Sequence, residues 1–197
     1  MKKILYLLLI VPITILAQQL NTENILYDEN NREYIIYIPQ SYSSSNSAPL
    51  LIALHGGSGY ADDFMNYEAD FRSISDTAGF ILVYPQALED PNDGNSTNWL
   101  HKEPTDHKDI FFIEALIDSI STNYNIDENR VYACGYSLGG MFSYELACQL
   151  NHKITAITSV AGAAFLGAFS SCELSHPTAV LSINGTDDGI HPYSDTN

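Results

Sequence analysis

Residues 131–140 read Val-Tyr-Ala-Cys-Gly-Tyr-Ser-Leu-Gly-Gly, and this stretch decides the fold. The apolar run that begins at Val131 predicts a β-strand, and the residues after Ser137 have the pattern of a helix. Gly135, Ser137 and Gly139 have the spacing of the G-x-S-x-G motif, in which a serine nucleophile lies on a tight turn between a strand and a helix. Glycine is expected on both sides of the serine, because a side chain there would collide with the strand or the helix. The stretch therefore predicts Ser137 as a nucleophile.

Strand-like and helix-like segments alternate along the rest of the chain. Runs rich in β-branched and aromatic residues predict strands, with helical patterns between them. This alternation predicts an α/β fold with a mostly parallel sheet and helices on both faces, because parallel neighbours need a long crossover that a helix supplies. The predicted strands are 34–38, 50–54, 80–84, 131–135, 154–160 and 179–183. The predicted helices are 62–78, 138–150, and one that Thr105 or Asp106 would cap and whose apolar face runs from Ile113 to Tyr124.

A glycine-rich loop precedes the serine turn in the chain. Residues 54–59 read Leu-His-Gly-Gly-Ser-Gly and follow an apolar strand, where such a fold places the second donor of its oxyanion hole. The backbone N–H groups of Leu138 and of either Gly57 or Ser58 are predicted to stabilise the negative oxygen that forms in acyl transfer. His55 precedes the serine, against the order Ser, acid, His of this fold, so we predict a structural role for it.

An acidic turn follows the last predicted strand. Residues 184–193 read Asn-Gly-Thr-Asp-Asp-Gly-Ile-His-Pro-Tyr. A carboxylate just past this strand would orient a catalytic imidazole and stabilise its charged form. Asp187 and Asp188 both fill that place, and a solvated aspartate pair in a turn is the alternative interpretation.

Together these motifs resemble the secreted esterase family that includes polyhydroxybutyrate depolymerases, feruloyl esterases and acetylxylan esterases, over about residues 34–193. The resemblance implies an α/β-hydrolase fold and a serine esterase that works through an acyl-enzyme, without a metal or an organic cofactor. It implies an ester substrate, either a feruloyl or acetyl group on plant polysaccharide or a polyester. It also selects Asp188 over Asp187, because one variable residue separates Gly-Thr from the acid in the family.

Two other functions stay open. Trp99 is the only tryptophan and lies in a long polar segment, 86–106. A tryptophan there would stack on a sugar or an aromatic acyl group, as a non-catalytic carbohydrate-binding module of the same scaffold requires, or would serve as a packing anchor. A serine peptidase of the same fold would use the same nucleophile.

The general base is the element that the sequence does not supply. A serine hydroxyl is a weak nucleophile until a histidine takes its proton, and in this fold that histidine follows the acid. His191 is the only histidine after Asp188, and it stands where the resembled family has an apolar residue. We therefore expect residues 18–197 to form an esterase domain that is truncated before the last strand and the histidine loop, and this chain alone to be inactive.

The N-terminus and the net charge predict where the protein works. Residues 1–17 have a signal-peptide pattern, with Lys2 and Lys3 before an apolar run that ends near the small residue Ala17. This pattern predicts a secreted or periplasmic protein. The net charge of −16 is unfavourable for nucleic acids and anionic lipid surfaces, so neither a nucleic acid nor, after signal cleavage, a membrane is expected as a partner.

The chain has three cysteines, Cys134, Cys148 and Cys172. In an oxidising compartment, one disulfide and one thiol are the simplest account of them. Cys134 lies in a strand-like run and is predicted to be the buried thiol, which leaves Cys148 and Cys172 as the candidate bridge. None of the three has zinc-ligand spacing, so no metal site is predicted.

Overall fold

The computed structural model describes residues 19–99, 108–164, 172, 174–191 and 193. The predicted signal peptide, residues 1–17, lies outside the described residues. In the described part of the chain, no helix has both the length and the apolar character needed to cross a membrane.

A seven-stranded sheet forms the centre of the molecule, in the order β1-β2-β4-β3-β7-β8-β9. Strands β4, β3, β7, β8 and β9 run parallel to one another. Strand β2 pairs antiparallel with β4 on one side and with the edge strand β1 on the other. A separate hairpin consists of β5 and β6. The strands are β1 Gln19–Tyr27, β2 Asn30–Ile38, β3 Ala48–Leu54, β4 Ile81–Pro85, β5 Glu89–Asp90, β6 Ser96–Thr97, β7 Ile126–Tyr136, β8 Ala156–Val160 and β9 Ala179–Ile183.

The structure confirms the predicted strands and adds two features. Strand β1 was not predicted, because its sequence Gln-Leu-Asn-Thr-Glu-Asn-Ile-Leu-Tyr is largely polar. It pairs with β2 at the edge of the sheet and is mostly exposed, and Ile25 and Tyr27 near its end pack against the larger apolar core. The β5–β6 hairpin lies within the polar segment that the sequence predicted as a loop.

The predicted helix 62–78 is wrong as one continuous element. The chain leaves the helix at Ala69, where φ is −141° and ψ is 58°. The buried hydroxyl of Tyr84 donates to the carbonyl of Ala69 and accepts from the N–H of Phe71, so it takes backbone groups at the point where the helix is interrupted. The helices are α1 Ala61–Asp63, a π-helical turn Phe64–Glu68, α2 Arg72–Ala78, α3 Lys108–Asn123 and α4 Leu138–Gln149.

Helices cover both faces of the sheet, as predicted. Helices α3 and α4 pack on one face around Phe112, Leu116 and Phe142, in the larger apolar core. Helix α1 and the π-helical turn pack on the other face around Phe64 and Tyr84. Strand β9 lies at the far edge of the sheet, and all five of its residues are exposed.

A buried ion pair joins the sheet to α3. Arg32 of β2 donates to Asp109 at 2.6 Å, and the two side chains are 2% and 0% exposed. The guanidinium also lies 3.7 Å above the ring of Phe112. Since two buried charges are costly unless they face each other, the pair specifies how α3 is placed against β2.

The structure joins the candidate pair Cys148 and Cys172, whereas Cys134, which was predicted to be buried, is only partly buried. Cys148 of α4 is bonded to Cys172, with 5.1 Å between their Cα atoms. Cys134 is a free thiol in β7, and burial raises its pKa to about 12. At neutral pH Cys134 is therefore a protonated, weakly reactive thiol.

We expect Asp109→Ala to lower the free energy of unfolding by about 3–5 kcal/mol, because it leaves the Arg32 charge buried without its partner. Urea denaturation of the purified chain measures this loss. The matched control is Asp70→Ala, which breaks an ion pair with Arg72 whose two side chains are 46% and 28% exposed. Its effect should be much smaller, because water screens exposed pairs. Equal losses in the two variants would contradict the structural role of the buried pair.

Candidate active site

Ser137 occupies a strained turn between β7 and α4. Its φ is 51° and its ψ is −116°, a backbone conformation that residues other than glycine rarely adopt. Such a conformation costs about 1–3 kcal/mol and persists only where the surroundings enforce it. Here the Ser137 N–H donates to the carbonyl of Val160 in β8 at 2.8 Å, and its carbonyl accepts from Met141 N–H at 2.9 Å. The strained geometry projects the serine away from the sheet, as the G-x-S-x-G motif requires.

Two glycines make this turn possible by close approach. A Cβ atom at Gly135 would collide with the carbonyl group of Gly139. A Cβ atom at Gly139 would collide with the carbonyl oxygens of Leu54 and His55. The end of β3, the end of β7 and the start of α4 are therefore in direct backbone contact, and any side chain at 135 or 139 would separate them.

The glycine-rich loop lies against this turn. A Cβ atom at Gly56 would lie 3.5 Å from Ser137 Cβ, and one at Gly57 would lie 3.5 Å from Leu138 Cδ2. Leu138 is the first residue of α4, so its N–H has no partner within the helix. The helix N-terminus also favours negative charge at this point. The loop and the helix start thus lie side by side next to Ser137, and their role as an oxyanion site stays a prediction.

Of the two predicted donors in this loop, the structure leaves Gly57. The N–H of Ser58 donates to the carbonyl of Thr97 at 2.8 Å, so the prediction of Ser58 as an oxyanion donor is wrong for this conformation. Ser58 also has a positive φ of 57°, a backbone conformation that is uncommon for a residue with a side chain. The N–H of Gly57 has no hydrogen-bond partner in the described residues.

Trp99 is a packing residue, and its prediction as a substrate-stacking residue is wrong. The side chain is 0% exposed. Its ring stacks on Phe142 of α4 at a centroid distance of 5.0 Å and an interplanar angle of 7°, and its Nε1 donates to the carbonyl of His55 at 2.9 Å. A fully buried ring offers no face to a sugar or an acyl group. The sequence could not distinguish the two roles, because both favour an aromatic residue in a loop.

His55 is buried in the same cluster, in the structural role predicted for it. The side chain is 1% exposed, and its ring lies against Trp99 with 4.9 Å between centroids. Burial lowers the pKa of His55, although a hydrogen bond with the Gly56 carbonyl acts in the opposite direction. The ring is therefore neutral at neutral pH.

Asp188 lies beyond the carboxyl end of β9. Strand β9 runs parallel to β8, and the carbonyl of Ile183 accepts from Ala161 N–H just after Val160. The turn that carries Asp188 therefore leaves the same edge of the sheet as the Ser137 turn. Its Oδ1 accepts from the N–H groups of His191 and Ile190 at 2.9 Å each, and these bonds lower the pKa of Asp188. The carboxylate is ionised at neutral pH.

No histidine ring is hydrogen-bonded to the Ser137 hydroxyl in the described ranges. The backbone of His191 bonds to Asp188, which leaves its ring without an assigned role. His152 contacts Glu114 on the surface at 3.0 Å. His176 lies beside the carbonyl of Pro177. His101 and His107 lie outside the described residues.

A cavity of about 280 Å³ lies beside the glycine-rich loop. Tyr60 and Tyr136 line it, and both are half exposed. Its charged groups are Asp63 and Glu68, both acidic. No sequence pattern indicates this lining, although Tyr136 directly precedes the serine. Within the described residues, no group of three His, Cys, Asp or Glu side chains is arranged to hold a metal ion.

Comparisons with known proteins identify relatives of this chain. A family model described as Esterase PHB depolymerase matches residues 32–178. The chain is 32% identical over 165 residues to a bifunctional acetylxylan esterase/xylanase from Neocallimastix patriciarum, covering 82% of this chain and 22% of that protein. It is 28% identical over 173 residues to a probable feruloyl esterase C from Aspergillus clavatus, covering 84% of this chain and 57% of that protein. The chain thus spans 57% of the length of the feruloyl esterase and 22% of the length of the acetylxylan esterase/xylanase.

Solved structures share its architecture. A ferulic acid esterase from Anaeromyces mucronatus superposes with a TM-score of 0.66 at 18% identity, over 89% of this chain and 74% of that one. An S-formylglutathione hydrolase from Staphylococcus aureus superposes with a TM-score of 0.61 at 12% identity, over 79% and 65%. At these identities the likeness concerns the fold, and it confirms the predicted α/β-hydrolase fold.

We expect Gly139→Ala to destabilise the protein by about 3 kcal/mol, because the new methyl group would overlap the carbonyl oxygens of Leu54, in β3, and of the following residue, His55. The matched control is Gly189→Ala, since no atom lies within 4 Å of a Cβ placed there. Thermal and urea denaturation of both variants measure the difference. A Gly139→Ala variant as stable as Gly189→Ala would contradict the backbone contact.

Proposed function

Because this chain belongs to the Esterase PHB depolymerase family, we propose that its protein hydrolyses carboxylic esters through an acyl-enzyme on Ser137. The observation that carries the proposal is the strained Ser137 turn, beside which the N–H groups of Leu138 and Gly57 have no partner in the described residues. A serine placed beside two unused backbone donors is the arrangement that acyl transfer needs.

The reaction follows from these positions. The Ser137 hydroxyl attacks the ester carbonyl while a general base takes its proton, and the carbonyl oxygen becomes negative. The N–H groups of Leu138 and Gly57 stabilise that oxygen. The base returns the proton to the departing alcohol, and water then releases the acid from the serine by the same steps. Asp188 orients a histidine base and stabilises its charged form, and none of the described histidines is assigned to that role.

The substrate that we propose is an ester of a neutral carrier, namely a feruloyl or acetyl group on a polysaccharide, or a polyester. The names of the relatives support this class. The cavity beside the glycine-rich loop also supports it, because the exposed rings of Tyr60 and Tyr136 suit an aromatic group or a sugar face. Its acidic lining by Asp63 and Glu68 disfavours a carboxylate-bearing substrate.

We also propose that the protein is secreted or periplasmic. The signal-peptide pattern of residues 1–17 supports this location. The bond between Cys148 and Cys172 agrees with an oxidising compartment. Since Trp99 is buried, no observation favours the carbohydrate-binding alternative, and none favours a peptidase.

We expect Ser137→Ala to abolish labelling by a fluorophosphonate and to reduce ester turnover by at least about 10³-fold, because the nucleophile is lost. The experiment uses the complete protein that carries this chain, with a p-nitrophenyl ester and a feruloyl ester as substrates and mass spectrometry to locate the adduct. The control is Ser73→Ala, on the exposed side of α2. An adduct on another serine with Ser137 unmodified would overturn the proposal.

We expect Asp188→Asn to lower kcat by about 10⁴-fold with little change in stability, because an amide can neither stabilise nor correctly orient a charged imidazole. Asp187→Asn is the matched control, since it removes an equal charge at the neighbouring position. Steady-state kinetics on the complete protein separate the two variants. If both variants lost kcat equally, the turn would act only through its negative charge. This outcome would contradict Asp188 as the triad acid.

A further inference from the structure

The peptide unit between Gly56 and Gly57 decides whether the second oxyanion donor faces the nucleophile. A peptide unit is planar and trans, so its C=O and its N–H point in opposite directions. Whatever holds the Gly56 carbonyl therefore also aims the Gly57 N–H. Two donors hold that carbonyl, namely the His55 ring through Nδ1 at 2.7 Å and the Gly59 N–H at 3.1 Å.

The surrounding bonds determine which ring nitrogen of His55 carries the proton. The Gly56 carbonyl can only accept, so the short bond to it requires a proton on Nδ1. The backbone N–H of Ala87 can only donate, and it approaches Nε2 at 3.2 Å, so Nε2 must be unprotonated. His55 is thus held as the neutral Nδ1–H tautomer. The lowered pKa that burial produces favours this neutral form.

The ring of His55 is connected through Trp99 to α4, the helix that begins directly after Ser137. The Trp99 Nε1–H donates to the His55 carbonyl, and the indole lies between the His55 ring and Phe142 of α4. The side chain of Gln86 bonds to Ala61 N–H and approaches His55 Nε2 at 3.3 Å. A stack of three rings therefore connects the helix that presents Ser137 with the loop that presents Gly57.

We propose that His55 is a positioning residue of the oxyanion hole: its Nδ1–H holds the Gly56 carbonyl turned away from the nucleophile, so that the Gly57 N–H faces the oxygen of the substrate. This inference rests on the proposed ester hydrolysis. The His55 ring borders the cavity beside the glycine-rich loop, and no hydrogen bond joins it to Ser137 in the described part of the chain. It acts through the Gly56–Gly57 peptide unit.

Two substitutions separate the two sides of the ring. His55→Asn keeps an amide donor at the place of Nδ1 and removes the acceptor at the place of Nε2. His55→Gln keeps an acceptor within reach of the Ala87 N–H and removes the donor to Gly56. Both lose the stacked ring, so both are expected to lower the melting temperature similarly, whereas only the second removes the His55 donor and leaves the Gly56 carbonyl to the longer bond from the Gly59 N–H.

We expect His55→Gln to lower kcat for a neutral ester by about 10²-fold with KM nearly unchanged, as for the loss of one oxyanion donor, and His55→Asn to keep kcat within about 10-fold of the wild type. Kinetics are measured on the complete protein. Equal kcat values in the two variants would overturn the proposal, because a merely supporting ring would not distinguish them.

A readout that does not need activity separates this proposal from the proposed function. The ¹⁵N shifts of the His55 ring report which nitrogen is protonated, and the Gly57 amide signal reports the orientation of the peptide unit. We expect Nδ1 to be protonated, and the Gly57 signal to move in His55→Gln but not in His55→Asn. A ring protonated on Nε2 would overturn the role of His55 even in an active enzyme. Wild-type protein that hydrolyses no ester but gives the expected spectra would instead overturn the proposed function.

Discussion

The positive φ of Ser137 is the constraint on which the rest of the structure depends. An isolated chain would relax this conformation at a gain of about 1–3 kcal/mol. It persists because the Ser137 N–H is held by β8 and because Gly135 and Gly139 allow β3, β7 and α4 to meet backbone to backbone. Packing of α4 against the sheet through Phe142, Leu146 and their neighbours keeps these elements together. The same contact leaves the first N–H of α4 unpaired beside the serine, so the strain and the oxyanion donor have one origin.

The second side of the site is built by side chains more than by regular structure. The glycine-rich loop is held by the ring of His55, by Thr97, whose hydroxyl donates to Gly59 at 2.6 Å, and by the indole of Trp99. Thr97 and Trp99 belong to the polar segment that follows β4. The described part of that segment, up to Trp99, therefore supports the loop and holds its glycine backbone in one conformation.

Much of the fold could be predicted from the sequence, because parallel strands buried on both faces form continuous apolar runs that stand out from the rest of the chain. Strand β1 could not, since a polar edge strand resembles a loop in composition. The interruption of the helix at Ala69 depends on the hydroxyl of Tyr84, which is distant in sequence. The catalytic roles of Ser137 and Asp188 stay predictions, and Ser58 failed as a donor because its N–H is taken by Thr97, a partner that no local pattern indicates.

The sequence by itself determined the turn at Ser137 and the need for glycine around it, because a strand, a G-x-S-x-G turn and a helix are local features. It also determined the acidic turn after β9 and the pairing candidates among the cysteines. Three properties were decided only by the tertiary structure: which N–H of the glycine-rich loop stays unpaired, the burial of the Trp99 side chain, and the tautomer of His55. These properties depend on hydrogen-bond partners tens of residues away, and a buried polar group takes the partner that the packed chain places beside it.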